Sequence, residues 1–294
     1  MLLLWNGKLV EEEEVHVSYR DRGYYFGDGI YEVFRLYKGI LFEKEAHLQR
    51  LYNSLREIKI ELHWSREQLS IMLDELAATL GAQDGMLYIQ FTRGEAKRAH
   101  LFPEVCEAVM LGYCEPLARP ADLIENGIEA ITLEDIRWLR CHIKSLNLLP
   151  NTLAKQQAAE AGAKEAILIR SNDTVTECTA SNLLIVKDGV IYTHPNGNLI
   201  LDGITKQVVR RLAGQLDIPY VEQAFGKEQL LFADEVFLTS TTMEAAPIIA
   251  IDGRPVGTGT PGTITRRLQV AYVEMVERLM KQAGSSVSSA WMEK

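Results

Sequence analysis

The spacing of apolar positions changes several times along the chain, and each change marks an element. Leu2–Trp5 and Lys8–Val10 flank Asn6-Gly7, a strong two-residue turn signal, and predict a β-hairpin. Gly23, Gly27 and Gly29 then interrupt the pattern and predict an irregular loop, which leads into an alternating strand through Tyr31, Val33 and Leu36. From Ala46 the period lengthens. Leu48, Leu51, Leu55 and Ile58 recur three and four residues apart, as on one face of a helix. Ser65 is a good N-cap for a second helix carrying Leu69, Met72, Leu73 and Leu76. Strands are predicted at Met86–Thr92 and Ala108–Tyr113.

Pro116 and Pro120 bracket a connection that divides the chain into a domain of residues 1–119 and one of residues 120–283. The second domain is predicted to hold strands at 128–133, 165–169, 182–186 and 190–193. Its helices are predicted at 151–160, from near Thr205, and from Thr263 to Met280. The Ser-rich tail, residues 284–294, is read as disordered. Hairpins and separate helices in this order predict an α+β fold in two lobes rather than a doubly wound sheet.

Composition narrows the function. The formal net charge of -9 disfavours nucleic acid as a partner, because phosphates require a basic face. Cys106, Cys114, Cys141 and Cys178 form no C-x-x-C pair and have no histidine at zinc-finger spacing. This argues against a disulfide scaffold or a metal site and suits a reducing cytoplasm. No apolar stretch reaches bilayer length, and the start of the chain lacks the basic flank of a secretion signal, so a soluble cytoplasmic protein is expected. The acidic run Glu11–Glu14 reads as a solvated turn.

The candidate chemistry is dispersed. There is no Gly-x-Gly-x-x-Gly after a strand, no Walker lysine and no Gly-x-Ser-x-Gly elbow. Lys144 lies between apolar neighbours in Cys141-His-Ile-Lys-Ser-Leu-Asn-Leu-Leu. Desolvation favours its neutral amine, the form that Schiff-base chemistry needs; a lysine snorkelling to the surface is the alternative. Glu177, in Thr174-Val-Thr-Glu-Cys-Thr-Ala-Ser-Asn, suits a carboxylate facing a pyridinium nitrogen, with the surrounding hydroxyls as phosphate donors, or else a plain turn. Gly203-Ile204-Thr205 opens a helix and offers either a phosphate seat or an ordinary N-cap. Thr239-Ser-Thr-Thr offers a second phosphate contact or a turn, and Arg50 a bidentate phosphate contact or a solvated helix position. Arg98-Ala-His100 offers a carboxylate clamp or a solvated basic loop.

In combination these segments resemble the class IV aminotransferases. The resemblance rests on Asp21-Arg-Gly-Tyr-Tyr-Phe-Gly-Asp-Gly-Ile-Tyr-Glu-Val, on Arg50 in His-Leu-Gln-Arg-Leu, and on the Lys144 and Glu177 segments. Leu201-Asp-Gly-Ile-Thr and Thr-Ser-Thr-Thr complete it. It implies a fold-type IV homodimer with pyridoxal 5'-phosphate held between a small N-terminal α/β sandwich and a larger C-terminal α/β pseudo-barrel domain. It implies that Lys144 forms the Schiff base and carries the proton, and that Glu177 faces the pyridine nitrogen. Arg50, Ile204, Thr205 and Thr241 would hold the phosphate, and Leu201 would pack on the ring. Tyr31, Arg98 and His100 resemble the α-carboxylate trap of the D-amino-acid transaminase group, in which the arginine and histidine come from the partner subunit. That subgroup implies transamination between D-amino acids and 2-oxo acids, D-alanine with 2-oxoglutarate giving pyruvate and D-glutamate. A branched-chain L-aminotransferase or an aminodeoxychorismate lyase is the alternative within the fold, and a non-catalytic binding protein the alternative outside it. Ala180 departs from the family, whose run after the glutamate is often richer in serine.

Overall fold

The structure, a computed structural model, describes the backbone of residues 1–290 and the side chains through Gln282. The chain forms two compact units. One comprises Met1–Ala118, Ile143–Asn147 and the chain from Leu279; the other comprises Arg119–His142 and Leu148–Arg278. The Lys144 segment therefore groups with the first unit, although it follows the connection at Pro116–Pro120.

In the first unit six strands form one antiparallel sheet: β1 (Leu2–Trp5), β2 (Lys8–Glu11), β3 (Gly29–Tyr37), β4 (Ile40–Leu41), β5 (Gly85–Thr92) and β6 (Val109–Pro116). Their order is β2-β1-β6-β5-β3-β4. The glycine-rich segment contains a short helix, α1 (Arg22–Phe26), capped by Asp21, where the sequence predicts only an irregular loop. Two longer helices, α2 (Lys44–Glu57) and α3 (Arg66–Ala78), follow the predicted periodicity. Ser65 caps α3 reciprocally with Gln68, which satisfies two backbone donors left over at the helix start. Leu48, Leu51 and Leu55 of α2 and Leu69, Leu73 and Leu76 of α3 are buried in one core with Phe34, Leu87, Ile89, Phe91 and Met110 of the sheet. Burying such side chains contributes about 1.5–3 kcal/mol each.

The face of β3 differs from the predicted alternation. Ile30, Glu32, Phe34 and Leu36 point into the core, while Tyr31 and Val33 lie half-buried on the other face. Of the predicted Tyr31, Val33 and Leu36, only Leu36 is on the core face, and Glu32 is buried there because its charge is matched, as described below.

The second unit carries α4 (Ala121–Asn126), β7 (Ile128–Glu134), α5 (Leu149–Glu160), β8 (Glu165–Ile169), β9 (Val175–Cys178), β10 (Asn182–Lys187), β11 (Val190–Thr193) and α6 (Ile204–Gln215). These are followed by β12 (Tyr220–Glu222), α7 (Lys227–Leu231), β13 (Glu235–Ser240), β14 (Glu244–Ile251), β15 (Arg254–Pro255) and α8 (Thr263–Ala290). Its strands form a mixed sheet ordered β12-β11-β10-β13-β14-β7-β8-β9, with β15 on β14. The strands β8, β10 and β13 read as near-continuous apolar runs because they are buried on both faces, whereas β9 is equally buried but carries Thr176 and Glu177. Helix α8 runs past Met280 to Ala290; the expected disordered tail, 284–294, falls in part on residues 291–294, outside the described residues.

Candidate active site

Lys144 extends the free edge of β3. Its carbonyl accepts the amide of Tyr31 at 3.0 Å, the Leu146 amide donates to Gly29 at 3.0 Å, and Ser145 bridges to Ile30. The close approach requires glycine at 29, since a Cβ there would lie 2.4 Å from the Phe91 carbonyl and 2.7 Å from Leu146. The Lys144 amide donates to Ser54 Oγ of α2 at 3.2 Å. Its Nζ lies 4.1 Å from the centre of the Tyr31 ring, a cation–π distance. The side chain is half-buried.

Next to it lies a buried ionic group that the sequence did not reveal. Glu32, fully enclosed, accepts Arg50 Nε at 3.0 Å and Nη2 at 2.6 Å, and its Oε1 lies 3.1 Å from His47 Nδ1. Burial works to raise the Glu32 carboxyl, but Arg50 and His47 hold it well below the usual carboxylate range. Burial also lowers the His47 imidazole, and the positive charges of Arg50 and Lys144 add to that effect. Two nitrogens of the Arg50 fork thus engage Glu32. The reason is local: an arginine buried on α2 needs a matched anion, and Glu32 lies on the facing strand.

In the second unit Glu177 lies one residue before the end of β9 and is held from three sides. Arg137 Nη1 donates to it at 2.6 Å, Asn182 Nδ2 at 2.9 Å and the Leu201 amide at 3.2 Å. Burial raises the Glu177 carboxyl, and the Arg137 guanidinium opposes that rise. Arg137 is itself fixed by Asp135, with Nε–Oδ1 and Nη2–Oδ2 both at 2.9 Å. The sequence assigned no role to Asp135 or Arg137; Arg137 stands in Ile136-Arg-Trp-Leu-Arg-Cys, a segment that shares the family resemblance, and the two form an i, i+2 pair of opposite charges beside the Lys144 segment.

The hydroxyls around Glu177 are not placed as phosphate donors. Thr176 donates to Asp135 at 2.8 Å, Thr179 donates to buried Glu165, and Ser181 Oγ lies 3.4 Å from Glu165. Each is committed to a carboxylate that the local pattern did not show. Ala180 is exposed.

Leu201 and Gly203 lead from Glu177 into α6. Asn182 also donates to the Leu201 carbonyl at 2.7 Å, and a Cβ on Gly203 would meet Asn182 Oδ1 at 1.9 Å, so only glycine fits between them. Gly203 caps α6 without a side-chain hydrogen bond. The first amides of this twelve-residue helix, from Ile204 and Thr205, thus keep the unmatched donors and partial positive charge that favour an anion. Thr241 is half-buried in the turn after β13, and on that strand the hydroxyl of buried Thr239, a residue in register with Asn182, has no hydrogen-bond partner among the described residues.

Arg98 and His100 lie on the exposed loop between β5 and β6 in the first unit, grouped around Phe26 at 5.4 and 5.7 Å. Among the described residues neither makes a hydrogen bond or ring contact with Tyr31 or Lys144.

The amino-transferase class IV family model matches residues 29–251. The chain belongs to the class IV aminotransferases. D-alanine aminotransferase of Bacillus licheniformis is 49% identical over 271 residues, covering 92% of this chain and 95% of that one. The Staphylococcus haemolyticus protein of the same name is 47% identical over 274 residues, covering 92% and 96%. Among solved structures, the Escherichia coli branched-chain amino acid aminotransferase superposes with a TM-score of 0.87 at 26% identity, covering 93% of both chains. A T.th. branched-chain amino acid aminotransferase complexed with N-(5'-phosphopyridoxyl)-L-glutamate superposes with a TM-score of 0.84 at 29% identity, covering 93% of both. The fold is therefore that of the fold-type IV aminotransferases. Among the described residues no helix is long and apolar enough to cross a membrane.

Proposed function

We propose that this class IV aminotransferase uses pyridoxal 5'-phosphate to move amino groups between D-amino acids and 2-oxo acids, with D-alanine and 2-oxoglutarate giving pyruvate and D-glutamate. The identity of 47–49% with D-alanine aminotransferases over most of the chain supports this substrate class; the branched-chain structures are more distant in sequence. The observation that carries the cofactor reading is the enclosed Glu177 carboxylate, gripped by Arg137, Asn182 and the Leu201 amide and followed by the uncapped start of α6. The orphaned Thr239 hydroxyl and the close Gly203–Asn182 contact fit a bound polar group there as well.

When bound, pyridoxal phosphate supplies an electron-withdrawing ring that stabilises negative charge at the substrate Cα. Lys144 would hold the cofactor through its amine and, once freed by substrate, would move a proton at the substrate Cα. Glu177 would face the ring nitrogen, with Arg137 opposing the rise that burial imposes on the carboxyl. Arg50, oriented by Glu32, the Ile204 and Thr205 amides and Thr241 would bind the phosphate. Leu201 would pack on the ring. Tyr31, Arg98 and His100 would grip the substrate carboxylate and so select the enantiomer whose single Cα–H bond faces Lys144. The order is ping-pong: the first 2-oxo acid leaves before the second enters.

Arg98 and His100 serve the partner's site in a homodimer. This accords with the lack of contact between them and Tyr31 or Lys144, and with the exposed Tyr24, Leu101 and Val105 nearby. The free cysteines accord with the cytoplasm. Borohydride reduction followed by peptide mapping tests the cofactor reading. Label on Lys144 is the expected result, and label on another lysine or none overturns it.

A further inference from the structure

The loop that carries Arg98 and His100 spans residues 93–108 and has little apolar anchorage of its own. Leu101 is 84% exposed, Val105 88% and Phe102 53%. Yet two buried arginines hold it from below. Arg22 of α1 donates through Nη1 to the carbonyls of Ala99 at 2.7 Å and Leu101 at 3.3 Å, which bracket His100 and follow Arg98. Its backbone amide donates to the Gly94 carbonyl at 2.9 Å. Asp28 accepts Arg22 Nε at 2.8 Å and, on both oxygens, Arg93 Nε at 2.8 Å and Nη2 at 2.9 Å. Arg93 in turn donates to the Ile58 and Lys59 carbonyls beyond α2, at 2.7 and 2.9 Å, and lies 3.6 Å from the Phe102 ring centre.

The loop is also closed at its neck. Gly94 has a φ of +102°, and a Cβ there would sit 1.9 Å from the Glu107 carbonyl. A left-handed backbone with so close a neighbour requires glycine. Burial works against the Asp28 carboxylate, but the two guanidiniums hold it below the usual carboxylate range. One anion thus fixes two cations, and one of those cations fixes the backbone on either side of His100.

We propose that Arg22 is a positioning residue for the carboxylate-gripping loop: clamped by Asp28, it holds the Ala99 and Leu101 carbonyls and so sets the aim of Arg98 and His100. The inference rests on the reading of Arg98 and His100 as the carboxylate grip. Arg22 acts through the loop, and its loss affects substrate capture rather than the chemistry at Lys144. A loop without this anchor pays its ordering entropy on each binding event.

The test measures steady-state constants for D-alanine and 2-oxoglutarate in the cofactor-loaded enzyme with Arg22→Met, Arg22→Lys and Arg98→Met, and with Arg22→Met combined with Arg98→Met. Arg22→Lys keeps a cation for Asp28 and so protects the fold, but it loses the fork that spans Asp28 and the loop. In both Arg22 variants KM should rise about tenfold for both substrates, as expected for a charge-assisted contact. The kcat and the cofactor absorption should stay within about twofold of the unsubstituted enzyme. In the combined variant Arg22→Met should add little to Arg98→Met, because the two act on one binding event. If Arg98→Met raises KM while Arg22→Lys leaves it unchanged, this inference fails and the grip stands. If Arg98→Met leaves KM unchanged, the grip itself fails. A fall in kcat with a changed cofactor spectrum in Arg22→Lys also overturns the inference, since it places Arg22 in support of the cofactor.

Discussion

Replacing Arg137 with methionine separates the charge at Glu177 from the shape of its site. The side chain is buried, and its guanidinium joins two buried carboxylates, Asp135 and Glu177. Methionine keeps an apolar stem of similar length and leaves both anions without their shared cation. Breaking a buried pair by removing one partner costs about 3–5 kcal/mol. At roughly 2–4 °C per kcal/mol for a domain of this size, the unfolding midpoint should fall by about 6–20 °C. The loss should also depend on pH. Without Arg137, burial raises the Glu177 carboxyl further above its unfolded value. A carboxyl raised in this way adds stability only at pH below its unfolded value, and the contribution is lost as pH rises through the folded value. Asp135, now held below the usual range chiefly by Arg137, contributes stability above its unfolded value, and the variant forfeits that share. Both terms have the same sign; the Asp135 share is already complete by about pH 5, so the widening of the deficit between about pH 5 and pH 7.5 comes from Glu177. Thermal unfolding followed by circular dichroism at the two pH values measures it. An unchanged midpoint, or a deficit equal at both pH values, would refute the electrostatic account of Glu177.

Three further outcomes are expected. Lys144→Ala should lower steady turnover by at least the 10²- to 10⁴-fold typical of general acid–base assistance, read as pyruvate formed from D-alanine. Glu177→Gln should fold normally yet lose rate and shift the cofactor absorption, since an amide cannot keep the ring nitrogen protonated; an unchanged rate and spectrum would reduce Glu177 to a turn residue. Arg98→Met should raise KM for D-alanine and 2-oxoglutarate together by about ten- to a hundred-fold, and a change for only one substrate would mean that Arg98 reads the side chain.

What could be read in advance follows from how local each signal is. Helices α2 and α3 were legible because their leucines recur at helical spacing and Ser65 caps α3 within four residues. The apolar runs of β8 and β10 were legible as buried strands, whereas β9, with its polar Thr176 and Glu177, and β14 were not predicted. Lys144 and Glu177 were singled out through the order of weak segments along the chain, and neither segment is distinctive alone. The buried charges were not legible. Glu32 lies in a strand read only from its apolar Tyr31, Val33 and Leu36, and its partners His47 and Arg50 are on another element. Arg137 meets Glu177 across 40 positions, and Arg93 meets Asp28 across 65. Whether a charged side chain is buried depends on such distant partners, and periodicity carries no record of them. The same holds for Thr176 and Thr179, whose hydroxyls looked available for phosphate until Asp135 and Glu165 came within reach.

The handedness of the substrate tests the account most directly. The cofactor-loaded enzyme is mixed with D-alanine, L-alanine, L-valine or L-leucine, one at a time and without a 2-oxo acid, and the cofactor absorbance is followed through this half-reaction. Rapid conversion with D-alanine, and none on the same timescale with the three L-amino acids, is the predicted result. Faster conversion with L-valine or L-leucine than with D-alanine would contradict it.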